Sequence, residues 1–145
     1  PLKALLGFHK LRRFVFAAQS DLYAACDGAD AVVYHPGAAI GYFAAARLGV
    51  PSILASPFPM TPTRAYPALL VYGRARLGAR GNLLSHRAFE RVLWGASSGA
   101  VARFWRERFG GLPPGFGAPF ARQRSERLPT LVSCSPQVFP RPDDW

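Results

Sequence analysis

Imidazole can move a proton, bind a metal or cap a turn near neutral pH, so histidines are the first residues to weigh for chemistry. His9, His35 and His86 stand far apart in the chain. No H-E-x-x-H or paired-cysteine spacing joins them into a metal site. Cys26 and Cys134 have neither metal spacing nor a disulfide-rich context. Both read as small buried residues of a reducing compartment. His35 is the histidine placed for use, because it closes the run DAVVYHP at the carboxyl end of an expected strand. An acid, a base or a ligand belongs there, and so does a histidine that merely caps the strand or bonds a loop carbonyl. No P-loop or G-x-G-x-x-G is present, and Asp30 reads as a turn or capping residue. Pattern alone therefore assembles no active site.

The other conspicuous stretch is SPFPMTPTRAYP, Ser56 to Pro67, with four prolines in twelve residues. Proline lacks a backbone N–H and holds the residue before it extended, so this segment continues neither helix nor sheet. A loop that stiff suits a binding rim, since little freedom remains to be lost on binding. A plain surface connection stiffened by prolines is the competing reading.

The elements that would position these residues follow from periodicity. Leu11, Phe14, Ala18, Leu22, Ala25 and Cys26 recur at helical steps, which predicts a helix over the first 27 residues, stopped by Gly28. Ala31 to Tyr34 reads as a buried strand, AAIGYFAAARLG as a helix ending at Gly49, and Ser52 to Ala55 as a second strand. Strand, helix, strand predicts a parallel pair with a right-handed crossover. Ligands of open α/β sheets bind beyond the carboxyl ends of the strands, which places YHPGA and the proline loop on one edge. VYGRARLGARGNL reads as irregular and basic, and a long helix is expected from about Ser85, its N-cap, to Phe109. LPTLVSCSPQV follows a charged loop as a last strand, and FPRPDDW then leaves like a linker.

Bulk composition narrows the classes. Half of the 145 residues are apolar and 13% are aromatic, which is globular rather than disordered. The longest uncharged stretches, Ala31 to Ala46 and Leu48 to Thr63, have 16 residues each and contain proline and glycine, too short to span a bilayer as a helix. The start is no secretory signal, and with Met60 the only methionine the chain reads as a piece of a longer polypeptide. Eighteen basic against 8 acidic residues give a net charge of +10. That charge attracts anions, unless it reflects only a coding bias toward arginine, alanine, glycine and proline. The arginines are scattered without a nucleic-acid-binding motif, so a basic nucleic-acid module is the weaker alternative. The cluster Arg74, Arg76 and Arg80 could meet anionic headgroups and give a reversible, salt-sensitive membrane contact.

GADAVVYHPGAAIGYFAAARLGVPSILASPFPMTPTRAYP resembles the N-terminal half of sterol 3-β-glucosyltransferase-like enzymes of the UDP-glycosyltransferase superfamily. FERVLWG, LPP and SPQVFPRPDDW extend the resemblance from about Leu22 to Trp145. It implies a Rossmann-like α/β fold, part of the N-terminal domain of a GT-B glycosyltransferase. Residues 1–135 would be the partial acceptor-binding domain and 136–145 the start of an interdomain linker, the C-terminal nucleotide-sugar domain lying beyond. The implied reaction is inverting transfer of a hexose, glucose by resemblance, from a UDP-sugar to the hydroxyl of a sterol-like or other lipophilic acceptor. It implies no cofactor, the UDP-sugar being a co-substrate, and an enzyme of the cytoplasm, peripheral on a membrane. The implied acceptor rim is His35, Pro36, Pro57, Phe58, Met60, Thr61, Thr63 and Arg64, with Tyr34 and Tyr66 nearby. Core packing is the competing reading for Tyr34, Phe58, Met60 and Tyr66. The family's Gly-rich turn and catalytic base would precede Pro1, so no residue here is assigned as the base, and this polypeptide alone is expected to be inactive. A non-catalytic acceptor-binding subunit of a split enzyme is the alternative.

Overall fold

The computed structural model describes residues 14–73 and 76–145. Residues 14–24 are helical (α1), and the chain turns at Gly28, whose φ of 71° is left-handed. The part of the expected first helix before residue 14 lies outside the described residues. VVY then forms strand β1, Val32–Tyr34, with its two outer side chains buried. A single 3₁₀ turn, Pro36–Ala38, leads into helix α2, Ile40–Leu48. Gly49 ends α2 at φ 72°, a backbone position that suits glycine because it has no Cβ to clash. SILAS forms β2, Ser52–Ser56, and Thr130–Val132 forms β3. The sheet order is β1-β2-β3, and both pairings are parallel, with Val32 beside Ser52 and Leu54 beside Thr130. This is the α/β parallel arrangement expected for a Rossmann-like fragment.

Helix α2 packs on β1 and β2. Its approach is close: a Cβ built on Gly41 would stand 2.6 Å from Tyr34 Cβ. Gly41→Ala should therefore push helix and strand apart and cost about 1–3 kcal/mol, read as a lower urea midpoint with an unchanged slope. A loss below about 0.5 kcal/mol would mean that the contact relaxes freely. The core beneath holds Ile40, Phe43, Leu54, Met60, Val101, Trp105 and Phe120, all buried. The opposite sheet face is open at Val33 (61% exposed) and Leu131 (54%).

Two elements differ from the sequence expectation. Helix α3 spans Gly78–Phe109, so it begins before Ser85, and Ser85 lies inside the helix instead of capping it. GARGNL has weak helix propensity because of its glycines, but side chains of this turn are tied to the proline loop. Asn82 Nδ2 donates to the Arg64 carbonyl (2.9 Å), and Ser85 Oγ accepts the Ala68 N–H (2.8 Å). Tertiary bonds thus hold a turn that propensity alone would leave irregular. The charged loop before β3 is helix α4, Pro119–Ser125, with Pro119 in its first turn. Proline suits that position, where its missing N–H leaves no bond unmade. Arg127 follows at φ 56°, the only non-glycine positive φ among the described residues. Arg127 N donates to the Arg124 carbonyl (3.0 Å) and Leu128 N to the Gln123 carbonyl (3.1 Å), a helix-ending motif in which glycine is usual.

Candidate functional site

The three strands end at Tyr34, Ser56 and Val132, so His35, Pro57 and Ser133 open the carboxyl edge of the sheet. His35 is exposed there, and its Nδ1 accepts the Gly37 N–H at 3.0 Å, capping the 3₁₀ turn. An Nδ1 that accepts leaves the neutral ring with its proton on Nε2. With Nδ1 taken by the Gly37 N–H, Nε2 is the ring nitrogen left for another partner. The ring thus caps the turn that follows the strand and bonds no loop carbonyl among the described residues.

The proline loop is fixed from several sides. Buried Ser56 donates its hydroxyl to the Phe58 carbonyl (2.6 Å), while its own carbonyl accepts the Ser133 N–H (2.8 Å). Thr63 Oγ1 donates to Asp144 at 2.5 Å, and the Arg64 N–H donates to the same carboxylate at 2.8 Å. These bonds hold the Asp144 carboxyl below the ordinary carboxylate range, the Thr63 hydroxyl contributing most. The closing segment is thereby held against the loop. His86, buried inside α3, donates from Nε2 to the Tyr66 carbonyl (3.1 Å). Burial keeps its pKa below the usual histidine value, so the ring stays neutral as a strut. Burial also pushes the Tyr66 hydroxyl up to about 12. Tyr66 packs on Phe139 at 5.9 Å and Tyr72 at 6.2 Å, joining loop and closing segment through aromatic edges.

The eight rim residues divide by burial. His35, Pro57 and Arg64 are exposed, and Phe58 and Thr61 are half-buried, Phe58 against the Phe89 ring at 5.7 Å. Pro36, Met60 and Thr63 are buried beneath them, and Met60 belongs to the core. Tyr34 is likewise a core residue, its hydroxyl buried without a partner. Of the arginine cluster noted in the sequence, Arg76 and Arg80 are exposed and Arg74 lies outside the described residues. Among the described residues no helix is long and apolar enough to cross a membrane.

Sequence reasoning passed over the struts Asn82 and Asp144, and it gave Ser85 and His86 no bracing role. It also passed over the string GASSG, Gly95 to Gly99, which fits the G-x-S-x-G spacing. That string lies within α3 and makes no strand-to-helix elbow, and Ser97 Oγ is buried with no partner. It is helix, not nucleophile.

Of two cavities, only the larger reaches the edge. One of about 520 Å³ runs along β3 from the end of α4 to the proline loop, lined by Thr61, Thr130, Val132 and Cys134 among others. Another, of about 430 Å³, lies where α2 and α3 end, between Phe43, Arg47, Trp105 and Phe109. Since α2 runs from the carboxyl edge back to the amino edge, this second cavity sits away from the His35 rim.

No family model matches the chain. A sterol 3-beta-glucosyltransferase of Komagataella phaffii is 36% identical over 121 residues, 83% of this chain and 10% of the relative. One from Neurospora crassa is 31% identical over 136 residues, 94% of this chain. One from Cryptococcus neoformans is 32% identical over 139 residues, 96% of this chain. The chain spans only 8% of the length of these last two relatives.

Proposed function

The chain is homologous over nearly all its length to sterol 3-beta-glucosyltransferases, and from that premise we propose that it is the acceptor-side part of a glycosyltransferase. The reaction is transfer of a hexose from a UDP-sugar to the hydroxyl of a sterol-like acceptor, with inversion at the anomeric carbon. The match across 94% of the chain to a protein of that name is the observation that carries this reading. The parallel sheet with a braced proline loop at its carboxyl edge supports it. His35, Pro57, Phe58, Thr61 and Arg64 would meet the acceptor, while Pro36, Met60 and Thr63 hold the rim from below.

Inversion needs a base beside the acceptor hydroxyl. Among the described residues, the carboxylates that face packed elements are already engaged: Asp144 by Thr63 and Arg64, Glu90 by Arg124, and Glu126 by Arg122 and Tyr42. The Nδ1 of exposed His35 is taken by the Gly37 N–H. The resemblance puts base and donor site outside this chain, and no engaged group above competes for that role, so the chain by itself should transfer nothing.

A chimera tests both statements. This chain would replace the matched 136 residues of the Neurospora crassa relative. The chimera should transfer glucose from UDP-glucose to sterol, while the isolated chain releases no UDP above a no-enzyme control. A chimera that unfolds cooperatively yet transfers nothing would sink the acceptor-side reading. Transfer by the isolated chain would sink the division of labour. If a separate subunit, added in trans, restored transfer to the isolated chain, the split-enzyme version would replace the fused one.

A further inference from the structure

The cavity beside β3 has walls that sugar transfer does not explain. Three guanidinium groups line it: Arg124 and Arg127 from the end of α4, and Arg141 from the closing segment. No acidic side chain lines it. Arg124 is committed to Glu90, but Arg127 and Arg141 make no ion pair among the described residues. Trp145 also lines the cavity, and its Nε1–H is buried with no acceptor. An orphaned buried donor beside uncompensated guanidiniums is an arrangement in want of an anion. The remaining walls, including Pro59, Leu128, Val132 and Phe139, are apolar.

The backbone adds a second, independent observation. Arg127 occupies the left-handed position after α4, where glycine would be unstrained. A left-handed arginine has a cost in folding, and this one lines the cavity.

We propose that this cavity binds a phosphate group borne on a molecule with an apolar or aromatic body. The guanidinium fork matches phosphate oxygens bidentately, which fixes the anion. Phe139 and the apolar walls take the rest of the ligand, and the volume of about 520 Å³ leaves room for it. Nucleotides and phospholipid headgroups share that chemistry. Of the rim residues only Thr61 reaches this cavity, and the groups free to meet an anion there are those of Arg127, Arg141 and Trp145.

The chain would be made with a short Gly-Ser extension, so that no terminal carboxylate stands beside Trp145. Calorimetric titration with inorganic phosphate and with UDP, and co-sedimentation with phosphatidylcholine vesicles with or without phosphatidic acid, supply the arms. Saturable binding is expected, tighter for UDP if the source is a nucleotide and for phosphatidate vesicles if it is a lipid. Arg127→Gly should weaken binding about tenfold, the loss of one charge-assisted contact. The same substitution should raise the denaturant midpoint by removing strain. A merely structural arginine would give the higher midpoint with unchanged affinity, and that outcome would overturn the proposal. Arg141→Gln, at an exposed position, should weaken binding with the midpoint unchanged. Absence of saturable binding in every arm would overturn the site, as would binding of inorganic phosphate no weaker than that of either larger ligand.

Discussion

Phe43→Ala should remove about 3–5 kcal/mol of folding stability. Phe43 is 1% exposed and sits in the middle of α2. Its ring meets Tyr42 at 5.1 Å, Trp94 at 5.7 Å, Phe116 at 5.8 Å and Trp105 at 5.9 Å. Those partners come from α2, α3 and the loop before α4, so one ring joins layers that are otherwise distant in sequence. Removing it forfeits the transfer free energy of the ring and leaves a void that flat, mutually packed aromatics fill poorly. Domains have only about 5–15 kcal/mol in total, so the variant would stand near the threshold of unfolding. Met60 lies in the same core, so amides of the proline loop should also lose hydrogen-exchange protection. Leu131→Ala, at a 54% exposed position, is the control and should cost within about 0.5 kcal/mol. A Phe43→Ala midpoint within experimental spread of that control would show that the aromatic cluster can collapse.

What the sequence revealed of this fold was decided by the range of the interactions involved. The β1–α2–β2 unit was legible because its signals are local: short β-branched or apolar runs, an alanine-rich apolar helical run between them, and Gly49 where a left-handed residue is needed. The parallel pairing then followed from the strand, helix, strand order. The start of α3 was not legible, since GARGNL becomes helix through Asn82 and Ser85, which bond to Arg64 of the proline loop and to Ala68 just beyond it. Helix α4 has seven residues, too few for periodicity to show, although Pro119 was a readable first-turn signal. The edge that carries the candidate site came out of topology alone. Which rim residues face outward did not. Thr63 has the sequence neighbours of an exposed loop residue and is buried because Asp144, 81 positions away, accepts its hydroxyl.

The Glu90–Arg124 pair carries the other large effect. Arg124 holds both Glu90 oxygens, with Nη2 to Oε2 at 3.1 Å and Nη1 on Oε1, and thereby ties α4 to α3. The Glu90 side chain is 10% exposed and that of Arg124 31%. Burial pushes the Glu90 carboxyl above its ordinary value, by more than Arg124 and the more distant Arg87 pull it back. Such a pair adds little over a well-packed apolar one, but breaking it strands a buried charge. Arg124→Leu should therefore cost about 3 kcal/mol at pH 7. The pH dependence has a definite sign. With its carboxyl raised in the folded state, Glu90 is least harmful at pH values below its unfolded pKa of about 4.3, where both states hold the proton. The variant should lose stability as pH rises through the folded value, relative to the parent chain. Glu90→Leu combined with Arg124→Leu removes the stranded charge and should recover most of the loss. Urea midpoints of the four proteins at acid and neutral pH give the full cycle. A single-variant loss below about 1 kcal/mol, flat with pH, would mean that water reaches Glu90 and the pair is a surface one. A loss that the double variant recovers would instead fix Arg124 as a structural wall of the β3 cavity, leaving Arg127 and Arg141 to supply its free charge.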